Sequence, residues 1–433
     1  MWEKNFLCRD PHSHLRSRLS ESKFPFTTQC LYIFIFISYI ADMTNSGASA
    51  DANSRAELLK ASGFPHFMLK EIFDQPEALR NTIAPRVSLS SGEIRIADEV
   101  RIGVQELRTL RRINVVASGT SRHAGLTGQY MFQQLANLPA EVDYASEFEY
   151  RNPEIGPSEI TIVITQSGET ADTMSAQRMA KQKGSRTIAI SNVVGSTIAR
   201  EADGVLYTHA GPEISIASTK AFTAQIAVLF LLAGYLAEVR EEISREVLRA
   251  WIKELLNLPE KAQTVLKCVQ QCEQLANRFR QYEDFLFLGR AIHYPVAMDG
   301  ALKLKEVSYV HAEGYPAGEA KHGPTALIDE DLPVVIIATC DQNDAGSVSR
   351  YEKSVADIRG FKKQSAKVIA LASDGDTLIP SIADHAIFIP QTPELLAPVL
   401  EMIPLQMFAY YTAVGRGLDV DRPRNLSKSV MTD

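Results

Sequence analysis

The sequence predicts an α/β protein with two similar halves, each a parallel β-sheet with helices on both faces. Short strand-like runs alternate with segments of helical length, which is typical of parallel sheets. The same order of strands and helices occurs twice along the chain. The 433 residues, 45% of them hydrophobic, are also enough to bury two cores of ordinary domain size.

The elements of the first half follow a helical lead-in. Apolar spacing over residues 55–80 predicts short helices, with a break at residues 63–65. Four strands are predicted next, at residues 113–117, 160–164, 187–190 and 205–208. Helices are expected from the 118–121 turn towards residue 135, after the 165–170 turn and before Gly184, and from 222 to about 239.

The second half repeats this plan. Its predicted strands are residues 285–288, 334–338, 368–371 and 386–389. The loop before the last helix also corresponds, since Glu213 after Pro212 is echoed by Glu394 after Pro393. Between the halves, residues 240–280 predict a charged helical connection with Pro259 as a break. The polar residues after 415 have no strand pattern.

Composition narrows the class of function. The chain has 45 Lys and Arg residues against 52 Asp and Glu residues, which gives a net charge of −7. It therefore lacks the excess of positive charge that is typical of nucleic-acid-binding proteins. A small-molecule ligand is therefore expected. The five cysteines are scattered and odd in number, and Cys268 and Cys272 lie four apart without nearby histidine. We expect neither a disulfide framework nor a zinc site.

The N-terminal region has two interpretations. The apolar run at residues 31–40 is shorter than the roughly 20 residues that span a bilayer. Basic residues before it and Ala48-Ser49-Ala50 after it give the outline of a signal peptide. Alternatively, Met43 is the true start and residues 1–42 are upstream sequence translated from a misplaced start. We favour the second interpretation.

Two hydroxyl-rich turns stand where a strand ends and a helix begins, at residues 118–121 and 165–170. Such turns bind phosphate, because free backbone N–H groups and the helix dipole both point at the anion. For either turn alone, simple helix capping by Ser or Thr is the alternative. Two such turns at the carboxyl ends of adjacent parallel strands favour a ligand crevice.

A second group of candidate residues lies in the other half. Lys303 and Glu306 share one face of a predicted helix over residues 295–310, where an acid–base pair would meet one substrate. A solvated ion pair is the alternative. His311 and His322 follow this helix and are two further candidate acid–base residues. By composition alone, Lys428 is one exposed lysine of the tail.

Several short motifs form a specific set when taken together. They are Ser118-Gly119-Thr120-Ser121, Gln166-Ser167-Gly168-Glu169-Thr170, Ala217-Ser218-Thr219-Lys220-Ala221-Phe222, Gly300-Ala301-Leu302-Lys303-Leu304-Lys305-Glu306, Lys321-His322-Gly323-Pro324 and Arg424-Asn425-Leu426-Ser427-Lys428-Ser429-Val430. This set closely resembles the isomerase half of the glutamine:fructose-6-phosphate aminotransferases, or glucosamine-6-phosphate synthases, over roughly residues 63–433.

The resemblance implies two tandem sugar isomerase (SIS) domains with flavodoxin-like sheets. It also implies a homodimer in which the loop histidine completes the site of the neighbouring subunit. We expect no cofactor and no metal. The chain then divides into a probable upstream or disordered segment (1–54), a helical lead-in (55–100), a first SIS domain (101–245), a helical connection (246–280), a second SIS domain (281–415) and a C-terminal active-site tail (416–433).

The resemblance also implies a role for each site residue. Lys428 matches the lysine that forms an imine with open-chain fructose 6-phosphate. Glu306 matches the base that moves a proton between C1 and C2, and Lys303 would assist proton transfer at the hydroxyls. His322 matches the ring-opening residue. The implied substrate contacts are Thr120, Ser121, Thr165, Gln166, Ser167, Thr170, Ile216 and Ser218.

The sequence departs from the family at its N-terminus. The family's glutaminase domain has its catalytic cysteine after the initiator Met, whereas Trp2 follows Met1 and Thr44 follows Met43. We therefore expect this chain to lack the glutaminase. Near the site, Ser118 replaces a common Cys and Ser427 replaces the Ala beside the imine lysine.

Three functional hypotheses remain open. The first is an enzyme that interconverts fructose 6-phosphate plus ammonia and glucosamine 6-phosphate, in the aminotransferase or the deaminase direction. The second is a synthase subunit that receives ammonia from a separate glutaminase. The third is a non-catalytic sugar-phosphate sensor, which has no need for Lys303, Glu306, His322 and Lys428 together. We expect a cytoplasmic protein without nucleic-acid or membrane partners, and the identity of the amino sugar stays open.

Overall fold

The computed structural model describes residues 57, 59–60 and 62–428. The predicted upstream segment, residues 1–54, lies outside the described residues. A lead-in precedes the sheets: helices α1 (Phe67–Phe73) and α2 (Gln75–Ile83), the antiparallel strands β1 (Val87–Ser88) and β2 (Glu93–Ile94), and the short helices α3 (Ala97–Val100) and α4 (Val104–Arg108).

The first half is a five-stranded parallel sheet in the order β4-β3-β5-β6-β7. Its strands are β3 (Arg112–Ala117), β4 (Ala140–Tyr144), β5 (Glu159–Thr165), β6 (Arg186–Ser191) and β7 (Gly204–Tyr207). Its helices are α5 (Gly119–Ala136), α6 (Ala145–Arg151), α7 (Ala171–Gln182), α8 (Thr197–Glu201) and α9 (Lys220–Val239). Helices α10 (Arg245–Val265) and α11 (Val269–Phe279) then lead to the second half.

The second half has the same strand order, β9-β8-β10-β11-β12, and is also parallel throughout. Its strands are β8 (Asp284–Gly289), β9 (His311–Pro316), β10 (Val334–Ile337), β11 (Val368–Ser373) and β12 (His385–Ile389). Its helices are α12 (Tyr294–Ser308), α13 (Ala345–Lys363), α14 (Ile379–Ile382) and α15 (Ala397–Gly415). The predicted fold class, two tandem parallel sheets surrounded by helices, is confirmed.

Burial explains why the central strands are continuous apolar runs. Helices pack on both faces of each sheet, so side chains that alternate between the faces are all buried. Helix α9 is long and apolar enough to cross a membrane, but 89% of its apolar window is buried inside the protein. That burial is typical of the core helix of a globular domain.

Three features of the elements differ from the sequence prediction. The lead-in at residues 55–100, expected to be helical, contains the antiparallel strand pair β1–β2, which was not predicted. Strands β4 and β9 were not predicted. Each lies at an edge of its sheet, and its side chains are only partly buried and lack the apolar run that the opposite edge strands, β7 and β12, retain. The predicted break at Pro259 is wrong, since α10 runs through it. The apolar face of α10, which includes Leu255 and Ala262, is buried, and this packing offsets the backbone hydrogen bond that proline removes.

Candidate active site

A cleft of about 240 Å³ opens at the carboxyl ends of β3 and β5. The two hydroxyl-rich turns form one wall, α12 of the second half forms another, and residues 426–428 of the C-terminal tail also line the cleft. The lining includes all of the predicted site residues except His322: Thr120, Ser121, Thr165, Gln166, Ser167, Thr170, Ile216, Ser218, Lys303, Glu306 and Lys428.

The hydroxyl-rich turns do not use their N-cap side chains as simple helix caps. Ser118 and Thr170 are the N-cap residues of α5 and α7, and neither side chain accepts a capping hydrogen bond. The Thr170 hydroxyl instead lies 3.1 Å from the Thr165 Oγ1 atom. The first N–H groups of both helices are thus left for other acceptors at the edge of the cleft. This arrangement suits an anion such as phosphate.

The 165–170 turn needs glycine at one position. Gly168 has φ +71°, and a Cβ atom there would overlap the Ser196 hydroxyl. The turn is therefore fitted closely against the start of α8. The Gly168 N–H donates to the Thr165 hydroxyl at 3.2 Å, which fixes the turn internally.

Lys303 and Glu306 form a mostly buried pair at the cleft. Lys303 is fully buried, and its Nζ donates to Glu306 Oε2 at 2.5 Å. Burial lowers the pKa of Lys303, but the charges of Glu306 and Asp299 outweigh it and raise that pKa above its usual value. The solvated ion pair that the spacing left open is therefore wrong. A protonated ammonium holds one carboxylate oxygen while the carboxylate borders the cleft.

Lys428 reaches the cleft from the tail and has two partners. Its Nζ donates to Glu213 Oε2 and to the Ser215 carbonyl, both at 2.7 Å. Burial raises the pKa of Glu213, but the Lys428 charge and the hydrogen bonds to the carboxylate lower it to about 2. The glutamate is thus ionised at neutral pH and fixes the lysine head group.

Glu213 is a site residue that the sequence analysis did not assign. Its Oε1 accepts the backbone N–H groups of Thr219 and Ala221 at 2.9 and 3.1 Å, at the start of α9. Its Oε2 accepts the Ser218 hydroxyl at 3.0 Å. An anion is favourable at a helix N-terminus. The repeated Pro-Glu loops pointed to this residue, but a glutamate in a loop is solvated more often than buried.

His322 lies elsewhere in the chain. It is exposed at the end of a 3₁₀ turn (Glu319–His322) and lines a separate groove of about 810 Å³ beside β9. His311 borders the same groove and lies 2.8 Å from Asp284. The cleft of one chain is therefore formed without a histidine among its lining residues.

Comparison with known proteins assigns the two sheets and their helices to a family. The SIS domain matches residues 106–234 and 279–416, which correspond to the two sheets with their helices. The chain belongs to the SIS family, in its tandem form with two domains. Its cleft lies at the carboxyl ends of the parallel strands of the first domain, where α/β sheets generally bind ligands.

Particular relatives narrow this assignment. The chain is 48% identical over 377 residues to a glutamine–fructose-6-phosphate aminotransferase of Chlorobaculum tepidum and 47% identical to that of Methanosarcina acetivorans. These matches cover 87% of this chain but only 60% of either relative. The solved C-terminal domain of glucosamine-fructose-6-phosphate aminotransferase from Francisella tularensis aligns with a TM-score of 0.77 and 35% identity, over 83% of this chain and 99% of that one.

Proposed function

We propose that the protein interconverts fructose 6-phosphate plus ammonia and glucosamine 6-phosphate. One observation carries the proposal: a single cleft combines a phosphate-binding edge, a buried Lys303–Glu306 pair and a lysine fixed in the tail. A sugar-phosphate sensor needs only the first of these. The relatives named for this reaction support the choice of substrate.

The sugar phosphate is held through its phosphate group. The hydroxyls of Ser121, Ser167 and Thr170 and the N-termini of α5 and α7 face the anion from two adjacent turns. The hydroxyls donate, and the helix dipoles favour the negative charge. The sugar then extends towards α12 and the tail, with Ser218 beside its hydroxyls.

Lys428 forms the covalent intermediate in this proposal. Its free amine attacks C2 of open-chain fructose 6-phosphate, and loss of water leaves an imine. Before attack, the amine must release a proton, and Glu213 and the Ser215 carbonyl hold the head group at the edge of the cleft meanwhile. Ammonia then replaces the lysine on C2 and frees it for another turnover.

Glu306 moves the proton that completes the isomerisation. Its carboxylate removes a proton from C1 of the C2 imine and returns it to C2, while the proton of the C1 hydroxyl passes to the imine nitrogen. These two transfers leave an aldehyde at C1 and an amine at C2. The Lys303 ammonium holds one oxygen of that carboxylate and supplies hydrogen bonds to the sugar oxygens. Placement on α12 keeps both groups on one side of the planar intermediate.

His322 and the assembly are further parts of the proposal. We assign ring opening to His322 of a second copy of the chain, in a homodimer with shared sites. The exposure of His322 on a groove outside its own cleft supports this. A separate glutaminase as the ammonia source and a cytoplasmic location stay predictions.

The test supplies the full chain with fructose 6-phosphate and either ammonium or glutamine, and separately with glucosamine 6-phosphate. Amino sugar and free ammonia are measured. Amino sugar from ammonium, or ammonia from glucosamine 6-phosphate, is the expected result. Binding of the sugar phosphate without turnover in either direction would contradict the proposal and favour a subunit or sensor role.

A further inference from the structure

Glu71 is a buried acid outside both SIS domains and outside the predicted site. It lies on α1, and its side chain is 1% exposed. Its Oε1 accepts the backbone N–H groups of Ile214 and Ser215, the latter at 3.3 Å. Its Oε2 is buried without a hydrogen-bond partner among the described residues. A buried carboxyl is costly, so its contacts point to a specific role.

The two N–H groups belong to the backbone that holds Lys428. The Ile214 N–H lies in the peptide unit directly after Glu213, and the Ser215 N–H precedes the carbonyl that Lys428 contacts. Glu71 therefore anchors the chain between the two acceptors of the ammonium group. Movement of this short stretch would displace both acceptors together.

Helix α1 also joins this loop to the tail. At its N-terminus, the N–H groups of Phe67 and Met68 donate to the Asp421 carboxylate at 2.9 and 2.8 Å. The Asp421 carbonyl accepts the Ile216 N–H at 3.2 Å. The loop and the tail that meet at the Lys428 head group are thus both bonded to one helix.

We propose that Glu71 is a positioning residue for Lys428, because it fixes the loop backbone that presents Glu213 and the Ser215 carbonyl to the lysine. This inference rests on the proposed function, in which Lys428 attacks the sugar. Reacting atoms must come within about 3–3.5 Å in line, and a misplacement of about 1 Å costs roughly 100-fold in rate. Glu71 acts on the reaction only through this placement.

The charge state of Glu71 shapes the choice of variant. Burial and the nearby Glu213 charge raise its pKa to about 8, against the opposing effects of Lys428 and Lys220. Near pH 7 the carboxyl is mostly neutral, so its oxygen accepts the two N–H groups as an amide oxygen would. A glutamine of the same shape should therefore preserve the role, whereas an alanine leaves both N–H groups without their acceptor.

The experiment measures capture of the sugar by Lys428. Fructose 6-phosphate is added with cyanoborohydride, which delivers hydride to C2 of the imine and fixes it as a secondary amine, and the mass of the Lys428 peptide is followed with time. The variants are E71A and E71Q, with the exposed E149Q as a control. We expect E71A to slow labelling at least ~10-fold and E71Q to stay within about twofold of the wild type.

The affinity for the sugar phosphate distinguishes a misplaced Lys428 from a general disruption of the site. The phosphate turns lie on β3 and β5, so E71A should bind fructose 6-phosphate within about threefold of the wild-type affinity. If E71A does not fold, E71D replaces it, since its carboxyl is one methylene too short to reach both N–H groups. The same loss of labelling is expected.

Each outcome decides between the two proposals. Labelling of E71A, or of its substitute, at the wild-type rate would overturn the role of Glu71, and so would E71Q labelling as slowly as E71A. Both results leave the proposed function standing, because the wild-type protein is labelled. A wild-type protein that binds fructose 6-phosphate but is never labelled at Lys428 would overturn the function and this inference together.

Discussion

The Glu306 carboxylate is held on one oxygen and open on its other side. Lys303 occupies Oε2, and the glutamate side chain keeps 22% of its exposure, towards the cleft. A base that takes a proton from carbon needs this combination of a fixed position and free access. The sequence spacing placed both residues on one helix face, but their burial depends on packing between the two halves.

Replacing Glu306 tests its role as the base. E306Q keeps the shape of the side chain and one oxygen that can accept from Lys303, but it cannot take up a proton at neutral pH. We expect turnover to fall by about 10²–10⁴-fold with fructose 6-phosphate binding nearly unchanged. Steady-state kinetics and calorimetric binding measure the two effects, with E149Q as the control. Wild-type turnover in E306Q would remove Glu306 from the mechanism.

The raised pKa of Glu71 predicts a pH-dependent stability. In the unfolded chain this acid ionises near its ordinary pKa of 4.5, whereas in the folded protein it stays protonated until about pH 8. The unfolded state thus binds fewer protons at this group between these values. Its contribution to the free energy of unfolding falls as pH rises, by at most ~1.4 kcal/mol per pH unit.

The E71Q variant isolates this effect. A neutral amide has no such titration, so the variant should gain stability relative to the wild type as pH rises from 5 to 8. Urea unfolding of both proteins at several pH values measures the difference, and E149Q should track the wild type. A constant difference between E71Q and the wild type across this range would contradict the assignment.

At the scale of elements, the turn after β5 depends on one glycine. Ala at position 168 would combine an unfavourable positive φ with overlap at Ser196. Gly195 is a matched control, because its φ of +73° is nearly the same and nothing lies within 4 Å of its added Cβ. We expect G195A to lose about 1–2 kcal/mol and G168A clearly more, with weaker fructose 6-phosphate binding in G168A alone. Equal losses in thermal unfolding and equal binding would show that the close fit does not matter.

The central elements of the fold could be predicted from the sequence because each is marked by the apolar pattern of its own residues. Buried parallel strands are mostly apolar, so the apolar runs at β3 and β5 predict these strands directly from the sequence. The edge strands β4 and β9 are only partly buried and carry no such run, so they went unpredicted, whereas the opposite edge strands β7 and β12 carry apolar residues and were predicted. The break expected at Pro259 failed for a related reason: burial of one helix face is a tertiary effect, and it outweighs local propensity.

The candidate site was predictable to a similar extent. Motif residues such as Ser167 and Lys428 come together at the cleft, and the resemblance had named them. Glu213 and Glu71 were not assigned, because the features that mark them are burial and backbone contacts with a loop far along the chain. His322 is exposed outside the cleft, and its role stays a prediction about two chains.

At the scale of the whole molecule, the two halves share a topology but differ in what fills the crevice. In the first half, Glu213 is buried behind the open cleft and holds Lys428, which lines it. Glu394 lies in the corresponding loop of the second half, and it accepts from Arg350 Nε at 2.6 Å and lies 2.9 Å from His293. Burial and Arg350 lower the pKa of His293, but Glu401 and Glu394 outweigh them, so its pKa is raised. The internal Arg350 guanidinium thus pairs with the loop glutamate of the second half, as the tail lysine Lys428 does in the first half.

This difference predicts one sugar phosphate per chain. The second crevice, between Thr339 and Glu394, leaves no room for a water molecule, whereas the first encloses about 240 Å³. Calorimetric titration with fructose 6-phosphate should saturate at one molecule per chain. Aspartate at Ser167 and Thr170 should abolish the binding, because two carboxylates would face the phosphate across the turn.

A matched control substitution for the changes at Ser167 and Thr170 lies in the second half. Ser373 is the last residue of β11 and lies beside the closed crevice, where its hydroxyl accepts the Cys340 N–H at 2.9 Å and donates to the Cys340 carbonyl at 3.1 Å. Alanine there removes two internal hydrogen bonds, each worth about 1 kcal/mol, and changes no residue of the cleft in the first half. S373A should therefore lower the thermal unfolding temperature and leave both the affinity and the count of bound sugar phosphates unchanged. Saturation at two molecules per chain, or a loss of binding in S373A, would mean that the second crevice opens to ligand and that the two halves have kept the same function.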